Sequence, residues 1–210
     1  MAEVLPLNFP IPSEGAIASY DFLDIATGLG FVRYLGLVGQ EGLTKTYTLS
    51  PESLHSRITY TDRSGAGTTT ISFDTSVFNL PRTAKGTAIF SCARFFTTTE
   101  PKRLTVTVQK VDAQSNVTSI SSGISSDHDD GALNVTVGAK MIMLKIPLTQ
   151  TQIKKGEKIR IKCDLVVDSG TGTFEIGHDP KNQNGSSLNL TTYPGVTTVM
   201  TFLMPFKIEA

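Results

Sequence analysis

The chain has 210 residues, with 19 basic and 19 acidic side chains and a pI near 6.8. Balanced charge argues against a protein that grips nucleic acid, because phosphate binding usually needs a basic excess. No run approaches the roughly 18 apolar residues that a membrane-spanning helix needs, and the N-terminus lacks the basic-then-apolar pattern of a secretory signal. Neither nucleic acid nor membrane is therefore expected as a partner.

The chain holds 28 threonines, 18 glycines, 10 prolines and no tryptophan. Threonine is β-branched and suits a half-exposed pleated surface, so the composition favours strands and turns over helices. Residues 1–15 carry prolines at 6, 10 and 12 among Val4, Leu5, Leu7, Phe9 and Ile11. Proline removes a backbone donor and disfavours helix before it, so this segment reads as an extended apolar arm. Such an arm can lie on its own domain or on a neighbour.

Strands follow at residues 19–25, 29–37, 44–49 and 54–61. Residues 64–67 form a turn of hairpin type, leading to a strand at 68–73 and a looser stretch at 76–80. Residues 87–96 are apolar on both faces, which marks a central strand, with Arg94 expected at a rim or against a partner. Residues 103–111 alternate cleanly, and 112–116 close a hairpin onto 117–121. The polar stretch 121–131 reads as loop.

The clearest pattern runs from Lys140 to Val167. Ile142, Leu144, Ile146 and Leu148 alternate first; Ile159, Ile161, Cys163, Leu165 and Val167 alternate after them, with Arg160, Lys162 and Asp164 between. The pattern predicts strand, polar turn, strand, paired as a hairpin. About one helical turn is expected over residues 149–156, ended by Gly156. Residues 140–164 hold seven Lys/Arg against two acidic residues, while the first thirty residues hold four acidic residues and no Lys or Arg. Both imbalances read as solvated faces. Strands at 173–177, 188–193 and 197–208 complete the chain. Ten or more strands without a sequence repeat predict an all-β fold: a two-sheet antiparallel sandwich of jelly-roll type over residues 16–210, preceded by the arm 1–15.

Candidates for chemistry are few. Asp127, His128, Asp129, Asp130 and Gly131 offer oxygen ligands, but without the spacing of a calcium loop. His178 and Asp179 lack the third member of a catalytic triad, and no nucleophile elbow, P-loop or H-E-x-x-H motif occurs. His55 falls on the polar face of a predicted strand. Tyr193 with the Asn/Gly/Ser loop 182–187 could meet a sugar, though the absence of tryptophan removes the strongest stacking platform. Cys92 and Cys163 read as small buried hydrophobes in the reduced state, able to pair only if their strands are neighbours. No catalytic, cofactor or metal residue is assigned, and no enzymatic activity is expected.

Four strings resemble those of bacteriophage virion proteins of the jelly-roll kind: Tyr20 to Gly28 (YDFLDIATG), Leu80 to Thr87 (LPRTAKGT), Leu148 to Gly156 (LTQTQIKKG) and Ile176 to Pro180 (IGHDP). The similarity is to capsid decoration (cement) and head-fibre proteins. It implies a homotrimeric sandwich bound to a major capsid protein on the outside of a virion, assembled in the host cytoplasm. It transfers no functional residue. A glycan-binding sandwich module is the alternative expectation.

Overall fold

The computed structural model describes residues 18–19, 29–54, 56, 58, 60–96, 102–127, 138–181 and 198–207. Every regular element among them is a strand: β1 (Ala18–Ser19), β2 (Leu29–Glu41), β3 (Thr44–Ser50), β4 (Tyr60–Ser64), β5 (Gly67–Thr75), β6 (Arg82–Phe96), β7 (Lys102–Val111), β8 (Val117–Ser119), β9 (Ile124–Asp127), β10 (Gly138–Ile153), β11 (Lys158–Val167), β12 (Thr173–Gly177) and β13 (Thr201–Lys207). The all-β expectation holds, and the two-sheet sandwich with it.

One layer is built on β6. Its whole length pairs with β10 on one edge. Its other edge is shared between β13 and β12, which pair onward with β2 and β4. The second layer is built on β11, which lies between β5 and β7, with β8 and β9 outside β7. Strand β3 joins the layers. It runs antiparallel to β2 and makes a short parallel pairing with β5 at Thr48 and Leu49, so the expected antiparallel sheet is mixed. β2 also packs tightly against the last segment: Gly36 N donates to Met200 O at 3.1 Å, and a Cβ at Gly36 would sit 2.5 Å from Met200 Sδ and force that side chain to move.

The core follows from alternation. Phe90 and Cys92 of β6, Ile142, Leu144 and Ile146 of β10, and Phe202 and Met204 of β13 face Ile159, Ile161, Cys163 and Leu165 of β11, Phe73 of β5 and Val106 of β7. Each such side chain contributes about 1.5–3 kcal/mol of transfer free energy when fully buried. Cys92 and Cys163 are both free and buried, as read from sequence.

Several sequence expectations are corrected. β10 and β11 do not form a hairpin; they belong to opposite layers. Alternation says which residues face the core, but the two inner faces of a sandwich have the same pattern. No helical turn precedes Gly156 either. β10 continues to Ile153 with a register shift against β6 between Leu148 and Thr151, and Lys154–Glu157 carries the chain across. The Lys154 amide donates to Glu157 Oε2 at 2.7 Å, and Gly156 takes φ +84°. The link between β5 and β6 crosses the same end, and the two crossings are bonded to each other. Phe78 N donates to Glu157 O, and Gly156 N to Phe78 O, both at 2.8 Å.

The predicted strand at 54–61 is replaced by β4, which starts at Tyr60. The turn after it does not make a β4–β5 hairpin: β4 pairs β12, and the amides of Gly65 and Ala66 donate to Gly172 and Gly170. Part of the expected loop 121–131 is strand, since β9 pairs β7 from Arg103↔Asp127 to Val106↔Ile124. Arg94 lies buried instead of at a rim. The arm 1–15 and the strand expected at 188–193 fall outside the described residues.

Candidate functional site

His178 and Asp179 lie just past β12, where β4, β12 and the segment before β13 meet. Both are fully buried. His178 Nε2 is 2.8 Å from Thr61 Oγ1 of β4. Its ring stands edge-on to Phe73 and Tyr47, with centroids 5.7 and 6.4 Å away. Nδ1 has no hydrogen-bond partner. Burial pushes the imidazole pKa down to about 4, only partly offset by backbone groups of His178, Ile58 and Tyr60 and by Asp179. Asp179 acts as a turn residue: its amide donates to Thr198 O at 2.9 Å, and its Oδ1 accepts from Lys181 N at 3.0 Å. His178 therefore serves as a neutral core residue that ties β4 to β12. It faces aromatic rings, with no nucleophile hydrogen-bonded to it except the Thr61 hydroxyl.

The same corner holds an uneasy carboxylate. Glu175 of β12 sits directly opposite Asp62 of β4. Burial, with the Asp62 charge added, raises its pKa to about 7. Its Oε2 has no hydrogen-bond partner. No group of three or more metal-binding side chains gathers around this pair or elsewhere among the described residues.

Of the other sequence candidates, Asp127 ends β9, while His128, Asp129, Asp130 and Gly131 lie outside the described residues. So do His55, Tyr193 and the loop 182–187.

Three of the seven basic residues at 140–164, Lys158, Arg160 and Lys162, are paired on the outer face of the second layer. Arg160 grips Asp74 with two bonds of 2.6 and 2.9 Å, and Lys158 reaches the same carboxylate at 2.5 Å. Burial alone would raise the Asp74 pKa, but the hydrogen bonds from Arg160 and Lys158 outweigh it and hold it below the usual carboxylate range. Lys162 pairs with Asp164 at 2.8 Å, and Lys110 with Glu157 at 3.2 Å. This face is neutralised by its own partners and offers little free charge to a ligand.

The outer face of the first layer is different. Met141 and Met143 of β10 are 47% and 70% exposed. In register, Met143 stands beside Ser91 of β6, which stands beside Thr201 of β13; Lys145 stands beside Ile89, which stands beside Leu203. Paired residues share a face, so the two methionines, Ile89 and Leu203 form an apolar strip interrupted by small hydroxyls and one lysine. β10 is also an edge: among the described residues it pairs only β6. The signal for this face was present in the sequence, because residues that alternate with a buried Ile142 and Leu144 must point outward.

No family model matches the chain, and no curated protein matches it. Solved structures do. An aminopeptidase from the marine sediment archaeon Thaumarchaeota archaeon matches with a TM-score of 0.57 at 8% identity, over 83% of this chain and 36% of that one. An alpha-amino acid ester hydrolase matches with a TM-score of 0.58 at 7% identity, over 82% of this chain and 36% of that one. The chain thus spans about a third of the length of either hydrolase, and the likeness is one of fold. It overturns the expectation that this chain stands apart from enzymes, because the same sandwich is built into chains that are hydrolases. Infectious bursal disease virus VP2 matches at a TM-score of only 0.26 and 14% identity, too distant to bear on the fold.

Proposed function

We propose that the chain is a docking sandwich of a tailed-phage virion, a decoration protein that holds to the outer surface of the capsid and assembles as a homotrimer. The observation that carries this reading is the strip of Met141, Met143, Ile89 and Leu203 on an edge-strand face. Exposed contiguous apolar surface marks interaction sites, and methionine is common at such surfaces because its side chain adapts to a partner. The contrast with the self-neutralised face of β11 supports the same side for docking. The four resemblance strings add to it.

Two measurements test the reading. Light scattering is expected to give a trimer. Co-sedimentation with purified capsid shells is expected to carry the chain into the pellet, and Met143→Asp is expected to leave it in the supernatant. A monomer that stays in the supernatant overturns the proposal. A glycan array run in parallel separates attachment to protein from attachment to sugar.

A second reading is favoured by the two hydrolase matches: the sandwich serves as one portion of a hydrolase acting on amino acid esters or peptides. Turnover of an aminoacyl ester or aminoacyl p-nitroanilide supports it; activity no higher than buffer removes it.

A further inference from the structure

A groove of about 260 Å³ opens at the end of the sandwich where the two crossings are bonded together. Val32 and Tyr34 of β2 line it, with Val77, Phe78 and Leu80 of the β5–β6 link. The lining is held in place. Two backbone hydrogen bonds of 2.8 Å tie Phe78 to Gly156 and Glu157. The Phe78 ring stands edge-on to Phe206 at 5.8 Å, and Arg82 lies over that same Phe206 ring at 5.6 Å. A concave site that is already formed spends little on ordering when a ligand enters.

Two polar groups converge on this largely apolar space. Tyr34 is only 8% exposed, yet its hydroxyl has no hydrogen bond to any described residue. A buried donor in that position costs free energy until something accepts from it. Burial pushes the hydroxyl pKa up to about 12, against the opposing charge of Arg82, so the proton stays in place for donation. Arg82 is the one charged lining residue, and it pairs with no carboxylate among the described residues. Its charge acts on the Tyr34 hydroxyl, so the two donors address one volume.

We propose that the groove binds a small aromatic monocarboxylate, its ring against Phe78 and Leu80 and its carboxylate between the Arg82 guanidinium and the Tyr34 hydroxyl. Volume sets the size. At about 30 Å³ per water the space holds roughly nine waters, which suits a body of about ten non-hydrogen atoms and is too small for a peptide segment. Charge sets the sign. A guanidinium takes a carboxylate through paired N–H donors, and no acidic side chain lines the groove to repel an anion. Ser76 and Asn79, the other polar lining residues, can donate as well. The apolar lining sets the body. A flat ring packs edge-to-face on Phe78 and covers Val77 and Leu80, which are 55% and 72% exposed.

The test titrates the full chain with phenylacetate, a probe of that size, by ligand-observed NMR at low salt. A dissociation constant on the order of 1 mM is expected, as weak as so small a ligand implies. Phenylacetamide has the same shape without the charge and is expected to bind about tenfold more weakly. Arg82→Gln is expected to weaken phenylacetate about tenfold, and Tyr34→Phe, which keeps the ring, about threefold. Leu80→Trp fills the groove from an exposed position and is expected to abolish binding, while Leu43→Ser, at a fully exposed site, leaves it unchanged. The melting temperature of each variant separates a lost site from a lost fold. No binding at about 10 mM, where a site of that strength would be about nine-tenths filled, overturns the proposal, as does equal binding of acid and amide. Binding that survives Leu80→Trp, or that neither Arg82→Gln nor Tyr34→Phe weakens, overturns it too, because the ligand then sits elsewhere.

Discussion

The centre of the second layer and the β4–β12 corner solve the same problem in opposite ways. Along β5, β11 and β7 the buried inward positions are apolar apart from Lys102 and Thr75, and charged outward positions are matched nearby: Asp74 with Arg160 and Lys158 of the next strand, Asp164 with Lys162 on its own strand and Thr70 on the next. In the corner, polar groups are buried. His178 is held there by one hydroxyl, and Glu175 faces a like charge across the ladder. The first region draws its stability mainly from packing, and its ion pairs weaken only at acid pH, where Asp74, held below the usual carboxylate range, takes up a proton. The second depends on protonation states that burial has displaced, so its pH sensitivity lies closer to neutrality.

The largest expected effect is in the centre. Ile161 is fully buried between Phe73 and Val108, and Ile161→Ala is expected to cost about 2–5 kcal/mol in urea unfolding. In the corner, Thr61→Val removes the partner of His178 Nε2 and leaves a buried nitrogen unpaired, for about 1–3 kcal/mol in the same assay. Comparable losses from both variants would mean that the corner is as firmly built as the centre. Asp74→Asn, at a partly exposed carboxylate, is expected to cost about 1 kcal/mol at low salt and less at high salt.

The smallest effects sharpen the contrast most. Glu175 has its pKa raised from 4.5 to about 7, so between those values the folded chain keeps a proton that the unfolded chain has lost, and stability falls as pH rises. His178 has its pKa lowered from 6.5 to about 4, so between those values the unfolded chain holds the extra proton, and stability falls as pH drops. The two slopes oppose each other from pH 4.5 to 6.5. Glu175→Gln is expected to leave the histidine slope alone, giving a melting temperature that climbs through that interval. A profile unchanged from the parent chain would show that Glu175 does not titrate there.

How much of this was legible in the sequence divides along the same line. Strand β11 could be read almost to the residue, because one apolar and one charged face leave a period of two. Strand β6 could be read as central, because both its faces are apolar. The partner of β10 could not be read: Ile142 and Leu144 say that a core lies on one side, not which layer holds them. Nor could β9, where Ser125 and Ser126 mimic a loop while the backbone adds to β7. The histidine was visible as a residue but not as a core residue, since its burial depends on Phe73 and Tyr47, more than a hundred positions earlier. The apolar strip on β10 was half visible, as the counter-phase of a buried alternation.

The two thiols give the sandwich an internal clock. Cys92 belongs to one layer and Cys163 to the other, and burial lifts both pKa values, Cys92 to about 12. Neither can react with an oxidant or an alkylating reagent until the layers part, so the rate at which they are consumed records how often the slab breathes open. Once open, each copy exposes two reactive sulfurs at once, and a brief excursion can become a permanent bridge between molecules.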